Sequence, residues 1–254
     1  MPRRILRDSR YFNDGNKGGD GNKGGDGNKG GDGNKGGRGD DGGSPVGDIP
    51  AAMNAPRRSL GPAHFKRLYD ANADPWQFRA SAYEQAKYRR TIETLANRSF
   101  SSAFEVGCSI GVMTRMLAPR CAALLAVDIV EQPLTAARAV CVDQPWVRFG
   151  RMQVPGEWPD ETFDLIVLSE VLYFLSPADI AAVADRVAGS LMPNGVVLLV
   201  NWRGRSEDPC TGEQAARVFT RQTRGWLAPR THLHGDALDS GRQGGYRLDL
   251  LVRR

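Results

Sequence analysis

The sequence predicts an α/β domain: a doubly wound, mainly parallel sheet covered by helices on both faces. Three observations predict it. Short apolar runs recur from about residue 101 onward, each separated from the next by a stretch with helical spacing. The runs are apolar almost throughout rather than alternating, as in strands buried on both faces. The last two strand-like pieces lie close together across a Gly-rich joint, which reads as a hairpin closing the edge of the sheet.

Ahead of the sheet, GPAHFKRLYDANADPWQFRASAYEQAKYRRTIETLA reads as a helix, a break at Asp74-Pro75, and a longer helix from about Ser81. Proline sets the break, because it disfavours helical geometry in the residue before it. Strand candidates then come in the order SAFEVG, CAALLAVD, PWVRFG, TFDLIVLS and GVVLLVNW. Between them, GVMTRMLAP, EQPLTAARAVC and SPADIAAVADRVAGSLMPNG carry apolar residues at helical spacing. TGEQAARVFTRQ is a further helix, and PRTHLHG and GYRLDLLVRR complete the strands.

The 254 residues divide unevenly. Residues 13–44 hold no aliphatic, aromatic or cysteine side chain, and 16 of the 30 glycines fall in the first 60 positions, so this part cannot contribute a core. DGNKGG occurs four times in succession from Asp14 to Gly37, one acid and one base per unit. With nothing to bury and glycine costly to order, residues 1–60 are expected to be a disordered, solvated tail. Calcium does not fit the repeat, which lacks both the later EF-hand ligands and the large apolar residue of a β-roll turn. Residues 61–254 are long enough for one domain, with 61–100 as a helical lid. Residues 1–60 carry 11 basic and 8 acidic side chains and the rest carry 23 and 21, so the domain is nearly balanced and shows no nucleic-acid footprint. Cys108, Cys121, Cys141 and Cys210 show no CxxC spacing, which points to reduced thiols in a cytoplasmic protein. No apolar run is long enough to span a membrane, and MPRRILRDSRYF has no secretory apolar region.

In an open parallel sheet, ligands bind at the carboxyl ends of the strands, beside the switch point. FEVGCSIGVMT lies there: Glu105 closes the first strand, and Gly107, Cys108, Ser109 and Gly111 turn the chain into the first helix. The second strand ends at Asp128-Ile129, 21 residues after Gly107 for the acid, which is placed to accept from both hydroxyls of a ribose or to cap the next helix. A dinucleotide would rest its pyrophosphate on the helix N-terminus, but the acid of E-x-G-C-S-x-G would repel one and suits an ammonium. S-adenosylmethionine carries an ammonium, a sulfonium and a ribose but no phosphate, and is the cofactor this turn predicts. Met152 and Gln153, after the third strand, stand at the level of the adenine, offering a polarizable face and an amide oxygen. The fourth strand ends at Ser169-Glu170, with Tyr173 one helical turn on, where the transferring methyl group is expected. Glu170 there reads as a helix cap or a substrate contact.

DPWQFRASAYEQAKY, FEVGCSIGVMT, LLAVDIV, RMQVPGEWP and FDLIVLSEVLYFLSPAD together resemble the nodulation protein S (NodS) group of class I S-adenosylmethionine-dependent methyltransferases, over roughly Phe65 to Arg254. The resemblance implies a Rossmann-like, seven-stranded sheet with an antiparallel last strand. It also implies N-methylation of the free amine at the non-reducing end of a de-N-acetylated chitooligosaccharide, a step in making a rhizobial signal molecule. It gives the repeat tail no task. Asn201-Trp202-Arg203 stands where related proteins often carry His-Trp-Arg, which weakens the case for a histidine base. Glu170 is then the candidate for orienting the amine or accepting its proton, supported by Tyr173 and Asn201. Trp76 and Tyr83 either fold over the cofactor as a lid with an aromatic face for a sugar, or pack helix on sheet.

Two other readings stand beside this one. The acceptor is another small molecule, methylated on nitrogen or oxygen, or the chain binds and methylates nucleic acid. Against the last stand the balanced domain and the absence of an Asn/Asp-Pro-Pro-aromatic motif after the fourth strand. His232-x-His234 has no carboxylate or cysteine cluster in the sequence around it, so no metal is expected. No Gly-x-Ser-x-Gly elbow is present for a hydrolase of that type.

Overall fold

The computed structural model describes residues 58–204, 207–236 and 244–254, and the DGNKGG repeats lie outside the described residues. The apolar runs form seven strands: β1 (Ala103–Val106), β2 (Leu124–Asp128), β3 (Val147–Arg151), β4 (Phe163–Ser169), β5 (Leu191–Trp202), β6 (Leu227–Gly235) and β7 (Tyr246–Arg253). They form one sheet in the order β3-β2-β1-β4-β5-β7-β6. Strands β1 to β5 are parallel, and β7 is antiparallel to both of its neighbours. The strand order reverses between β1 and β4, which opens a crevice at their carboxyl ends.

The expected hairpin does close one edge of the sheet. Strands β6 and β7 pair antiparallel, with β7 lying between β5 and β6 and β6 outermost. Proline suits that position: Pro229 lies in β6, where the register slips between Pro229 and Thr231.

The helices are α1 (Pro62–Ala71), α2 (Ala82–Thr94), α3 (Val112–Leu117), α4 (Glu131–Val140), α5 (Pro177–Ser190) and α6 (Gly212–Thr223). Side-chain caps fix three of their starts: Ser81 at α2, Ser176 at α5, and a Thr211–Gln214 capping box at α6. Between α1 and α2 the Asp74 carboxylate accepts from the N–H groups of Phe78 (2.8 Å) and Arg79 (3.0 Å), so an acid as well as a proline shapes the break. The helix read through SPADIAAVADRVAGSLMPNG stops at Ser190, and Leu191 to Gly195 join β5 instead. Pro193 cannot continue a helix, and it drives the residue before it into extended geometry. Pro119 similarly turns the end of α3 into a 3-10 turn, Ala118–Arg120, and a second such turn, Leu172–Phe174, follows β4.

Alternate residues of β4 build the two halves of the core. Ile166 and Leu168 pack with Phe104, Val183, Val187 and Phe219, on the side of α5 and α6. Leu165 and Val167 pack with Tyr88, Met113, Leu117 and Leu198, on the side of α2 and α3. Each large apolar side chain so buried contributes about 1.5–3 kcal/mol. Pro56–Arg254 forms a single compact unit. All four cysteines are free and buried, and no helix among the described residues is long and apolar enough to cross a membrane.

Candidate active site

The turn after β1 is built from left-handed backbone, with φ of +82° at Gly107, +49° at Ser109 and +79° at Gly111. Two glycines are required for close approach as well as for conformation. A Cβ on Gly107 would stand 2.3 Å from Val171 Cγ1, and one on Gly111 would stand 2.8 Å from Ala137 Cα. Gly107 thus lets the turns after β1 and β4 touch, and Gly111 lets α4 pack against the start of α3. Four N–H groups of the turn are spent inside the protein. Gly107 and Cys108 donate to the Val127 carbonyl (2.8 and 3.0 Å), Ser109 to Asp128 Oδ2 (3.0 Å) and Gly111 to the Cys108 carbonyl (2.9 Å). A phosphate cradle needs such groups free. Glu105 lies buried at the foot of the turn, and Oε2 has no hydrogen-bond partner among the described residues. Burial pushes its carboxyl up to about 7, and the neighbouring Thr114 hydroxyl draws it back only in part. An unpaired buried carboxylate oxygen is costly until a cation or donor reaches it.

Asp128 holds the turn from the other side. Its Oδ2 accepts from Ser109 and its Oδ1 from the N–H of Val130, the residue that leads into α4. Burial raises its carboxyl to about 6, against the pull of the Val130 and Ser109 N–H groups. Both sequence readings of Asp128 are therefore compatible, since each oxygen retains a second lone pair. Ile129 beside it is half-buried. The Cys108 side chain packs with Ala126 and Leu134, and its Sγ lies 3.9 Å from the Ser109 carbonyl of the turn. The Met152 N–H donates to the Asp128 carbonyl at 2.9 Å and its side chain packs against the core, while Gln153 is exposed with its N–H accepted by Glu157 at 2.5 Å.

Sequence reasoning missed Tyr69. This buried residue of α1 donates its hydroxyl to Ser109 Oγ at 2.7 Å, which lays α1 across the turn. Its ring meets Trp76 edge-on at 5.7 Å, and Trp76 stacks on Phe78 at 5.5 Å.

At the end of β4, Ser169 is buried and Glu170 takes φ +61°, a region few residues other than glycine adopt. The Glu170 N–H donates to the Val200 carbonyl at 2.8 Å. Its carboxylate accepts three donors: Tyr173 Oη and the Trp202 N–H on Oε2, both at 2.9 Å, and Lys87 Nζ on Oε1 at 2.6 Å. Lys87 lies buried on α2 and also pairs with Glu84 at 2.7 Å. Burial alone would push the Lys87 ammonium down, but the charges of Glu170 and Glu84 overcome it and hold it above the usual lysine range. In the sequence, Glu84 and Lys87 have the three-residue spacing of an exposed helix pair. Their place between Tyr83 and Tyr88, on the buried stripe of α2, was the one signal against that.

Tyr83 lies on this side of the site. Its ring centre is 5.5 Å from Lys87 Nζ and 6.3 Å from the ring of Tyr246, and its buried hydroxyl has no hydrogen-bond partner among the described residues. The two expected lid aromatics are therefore separated, Trp76 beside Tyr69 and the turn, Tyr83 beside Lys87 and Glu170. Asn201, at the end of β5, is fully buried, and neither amide atom has a partner among the described residues. Trp158 packs edge-on against Phe104 at 5.1 Å and donates to Ser190 Oγ. His232 and His234 pair with Asp249 (2.6 Å) and Glu213 (3.3 Å), and no group of three metal-ligating side chains occurs among the described residues.

The family described as nodulation protein S (NodS) matches residues 64–203. Nodulation protein S of Sinorhizobium fredii is 33% identical over 129 residues, covering 49% of this chain and 59% of that protein. The Bradyrhizobium diazoefficiens protein of the same name is 36% identical over 103 residues, 40% of this chain and 49% of that one. The chain thus spans about half the length of the curated relatives it matches. The N-methyltransferase NodS of Bradyrhizobium japonicum WM9, solved in complex with S-adenosyl-l-homocysteine, is similar with a TM-score of 0.65 at 21% identity, over 75% of this chain and 97% of that one. Likeness at that identity speaks for a shared class I methyltransferase fold. The family match runs from α1 past the end of β5, through the turn, Asp128, Glu170 and Asn201, and covers more than half of the sequence: the chain belongs to the nodulation protein S (NodS) family.

Proposed function

We propose that the chain is an S-adenosylmethionine-dependent N-methyltransferase whose acceptor is the free amine of a de-N-acetylated chitooligosaccharide. One observation carries the cofactor reading. The N–H groups of Gly107, Cys108, Ser109 and Gly111 all donate inside the protein, while Glu105 beneath them keeps an unpaired buried oxygen. Such a turn suits a ligand that brings an ammonium and no phosphate. Glu105 and the turn would hold the amino-acid half, Asp128 and Ile129 the ribose, the backbone and side chains at Met152-Gln153 the adenine, and Ser169 the sulfonium side. The NodS structure solved with S-adenosyl-l-homocysteine supports the same cofactor. When bound, S-adenosylmethionine supplies an electrophilic methyl group, which an amine lone pair takes as the carbon–sulfur bond breaks and its electrons stay on sulfur.

The chain's own contribution is alignment, and orientation alone can supply several kcal/mol, up to about 7–11. Glu170 is the orienting group. Its Oε2 is filled by Tyr173 and Trp202, and Oε1 keeps one place beyond Lys87 for an incoming amine. The two unpartnered amide atoms of Asn201 offer a donor and an acceptor for a hydroxyl of the acceptor. The proton of the methylated amine leaves to water.

The test is methyl transfer from labelled S-adenosylmethionine to a de-N-acetylated chitooligosaccharide, with the fully acetylated oligomer beside it. Label in the free-amine sugar alone is the expected result. Label in neither, from protein that binds S-adenosylhomocysteine, transfers the activity to another small acceptor.

A further inference from the structure

Lys87 belongs to the lid helix, yet its ammonium ends in the methyl-transfer region, 2.6 Å from Glu170 and 2.7 Å from Glu84, with 3% of its side chain exposed. It also lines a cleft of about 380 Å³ between α2 and the β6–β7 pair, together with Tyr83, Arg90, His234 and Tyr246. The groups that face it are Glu84, Tyr83 and Tyr88 from its own helix, Glu170 from beyond β4, which also holds Tyr173, and Tyr246 from β7. Burial raises all four phenols above their ordinary value, so they stay neutral near pH 7. The charges in contact here are therefore the Glu84 and Glu170 carboxylates and the Lys87 ammonium between them, with Arg90 and Asp236 farther out on the cleft wall.

We propose that Lys87 is a positioning residue that sets the protonation state of the acceptor: its ammonium fills one place on Glu170 Oε1 and leaves the other, beside a positive charge, to a neutral amine. The inference rests on the amine-methyltransferase reading above. A protonated amine at that place would share one oxygen with a second ammonium, in a buried site where salt screens little. A neutral amine can donate there and keep its lone pair for the methyl group. Without Lys87, Glu84 and Glu170 would face the acceptor as two unopposed carboxylates, and the unreactive ammonium would be favoured.

The experiment is the pH dependence of kcat for the full chain and its variants with a de-N-acetylated chitooligosaccharide, alongside calorimetric affinity for S-adenosylhomocysteine. Lys87→Met is expected to move the ascending limb of the kcat profile up by about one pH unit, which lowers kcat near pH 7 about tenfold. KM does not rise, and cofactor affinity is unchanged. Lys87→Arg keeps the original limb. Lys87→Met with Glu84→Gln, which restores the original charge balance, moves it back. A Lys87→Met profile with an unshifted limb overturns the role of Lys87, however far kcat falls. Failure of the unaltered chain to methylate any amine overturns the reading beneath it. A Lys87→Met/Glu170→Gln double-mutant cycle on unfolding tests the pair without substrate, and additive losses overturn the contact itself.

Discussion

Glu105 shows what burial does to one carboxyl. Raised to about 7, it holds a proton in the folded chain that the unfolded chain releases near pH 4. Its contribution to stability is therefore complete below the unfolded value and is lost as pH rises through about 7. A cationic ligand reverses the preference, because it favours the anion. Affinity for S-adenosylhomocysteine is expected to rise between about pH 6 and 8 with release of a proton, and Glu105→Gln to flatten that rise. Calorimetry in buffers of different ionisation enthalpy checks both; a pH-independent affinity for the unaltered chain would separate Glu105 from the ligand's ammonium. Glu105, Gly107 and Asp128 were legible in the sequence because their spacing alone places them at adjacent strand ends. Tyr69 and Lys87 were not, since their partners lie 40 and 83 residues away and only tertiary packing joins them.

Among the elements, the strands were the most legible, because burial on both faces writes a run of apolar residues that no surface helix has. Junctions were less so. The segment after Ser190 shares the apolar content of the helix before it, and a single proline decides that it is strand. Glycine gives the sharpest test at this scale. Gly111→Ala combines a left-handed φ with a Cβ 2.8 Å from the Ala137 backbone. It is expected to cost about 1–3 kcal/mol in backbone strain, and more from displacing α4. Gly189→Ala, inside α5 with nothing within 4 Å of the new Cβ, is expected to stabilise by roughly 0.5–1 kcal/mol. Denaturant unfolding of the two variants should thus move in opposite directions. Similar losses in both would refute the account of the turn.

For the whole molecule, hydrogen bonds tie residues just ahead of Gly61, where the composition changes, to the rest of the domain. The Leu60 N–H donates to the Phe174 carbonyl at 2.9 Å, and Ser59 Oγ accepts from the N–H of Ser176 at 2.8 Å while donating to Asp179. Removal of residues 1–55 is expected to leave the melting temperature of the domain unchanged. Removal of 1–60 is expected to lower it by about 4 °C or more, for a loss on the order of 1–2 kcal/mol. Equal melting temperatures for the two deletions would show that these bonds contribute nothing. The placement of β7 has a consequence for synthesis. Tyr246–Arg253 is an interior strand, flanked by β5 on one side and β6 on the other, although it is the last of the seven to be made. While the ribosome still holds those residues, β5 has an open flank and β6 has nothing to pair with. The nascent chain can assemble the turn, Asp128 and Glu170 early, but it stays adhesive along that flank until residue 253 has left the exit tunnel.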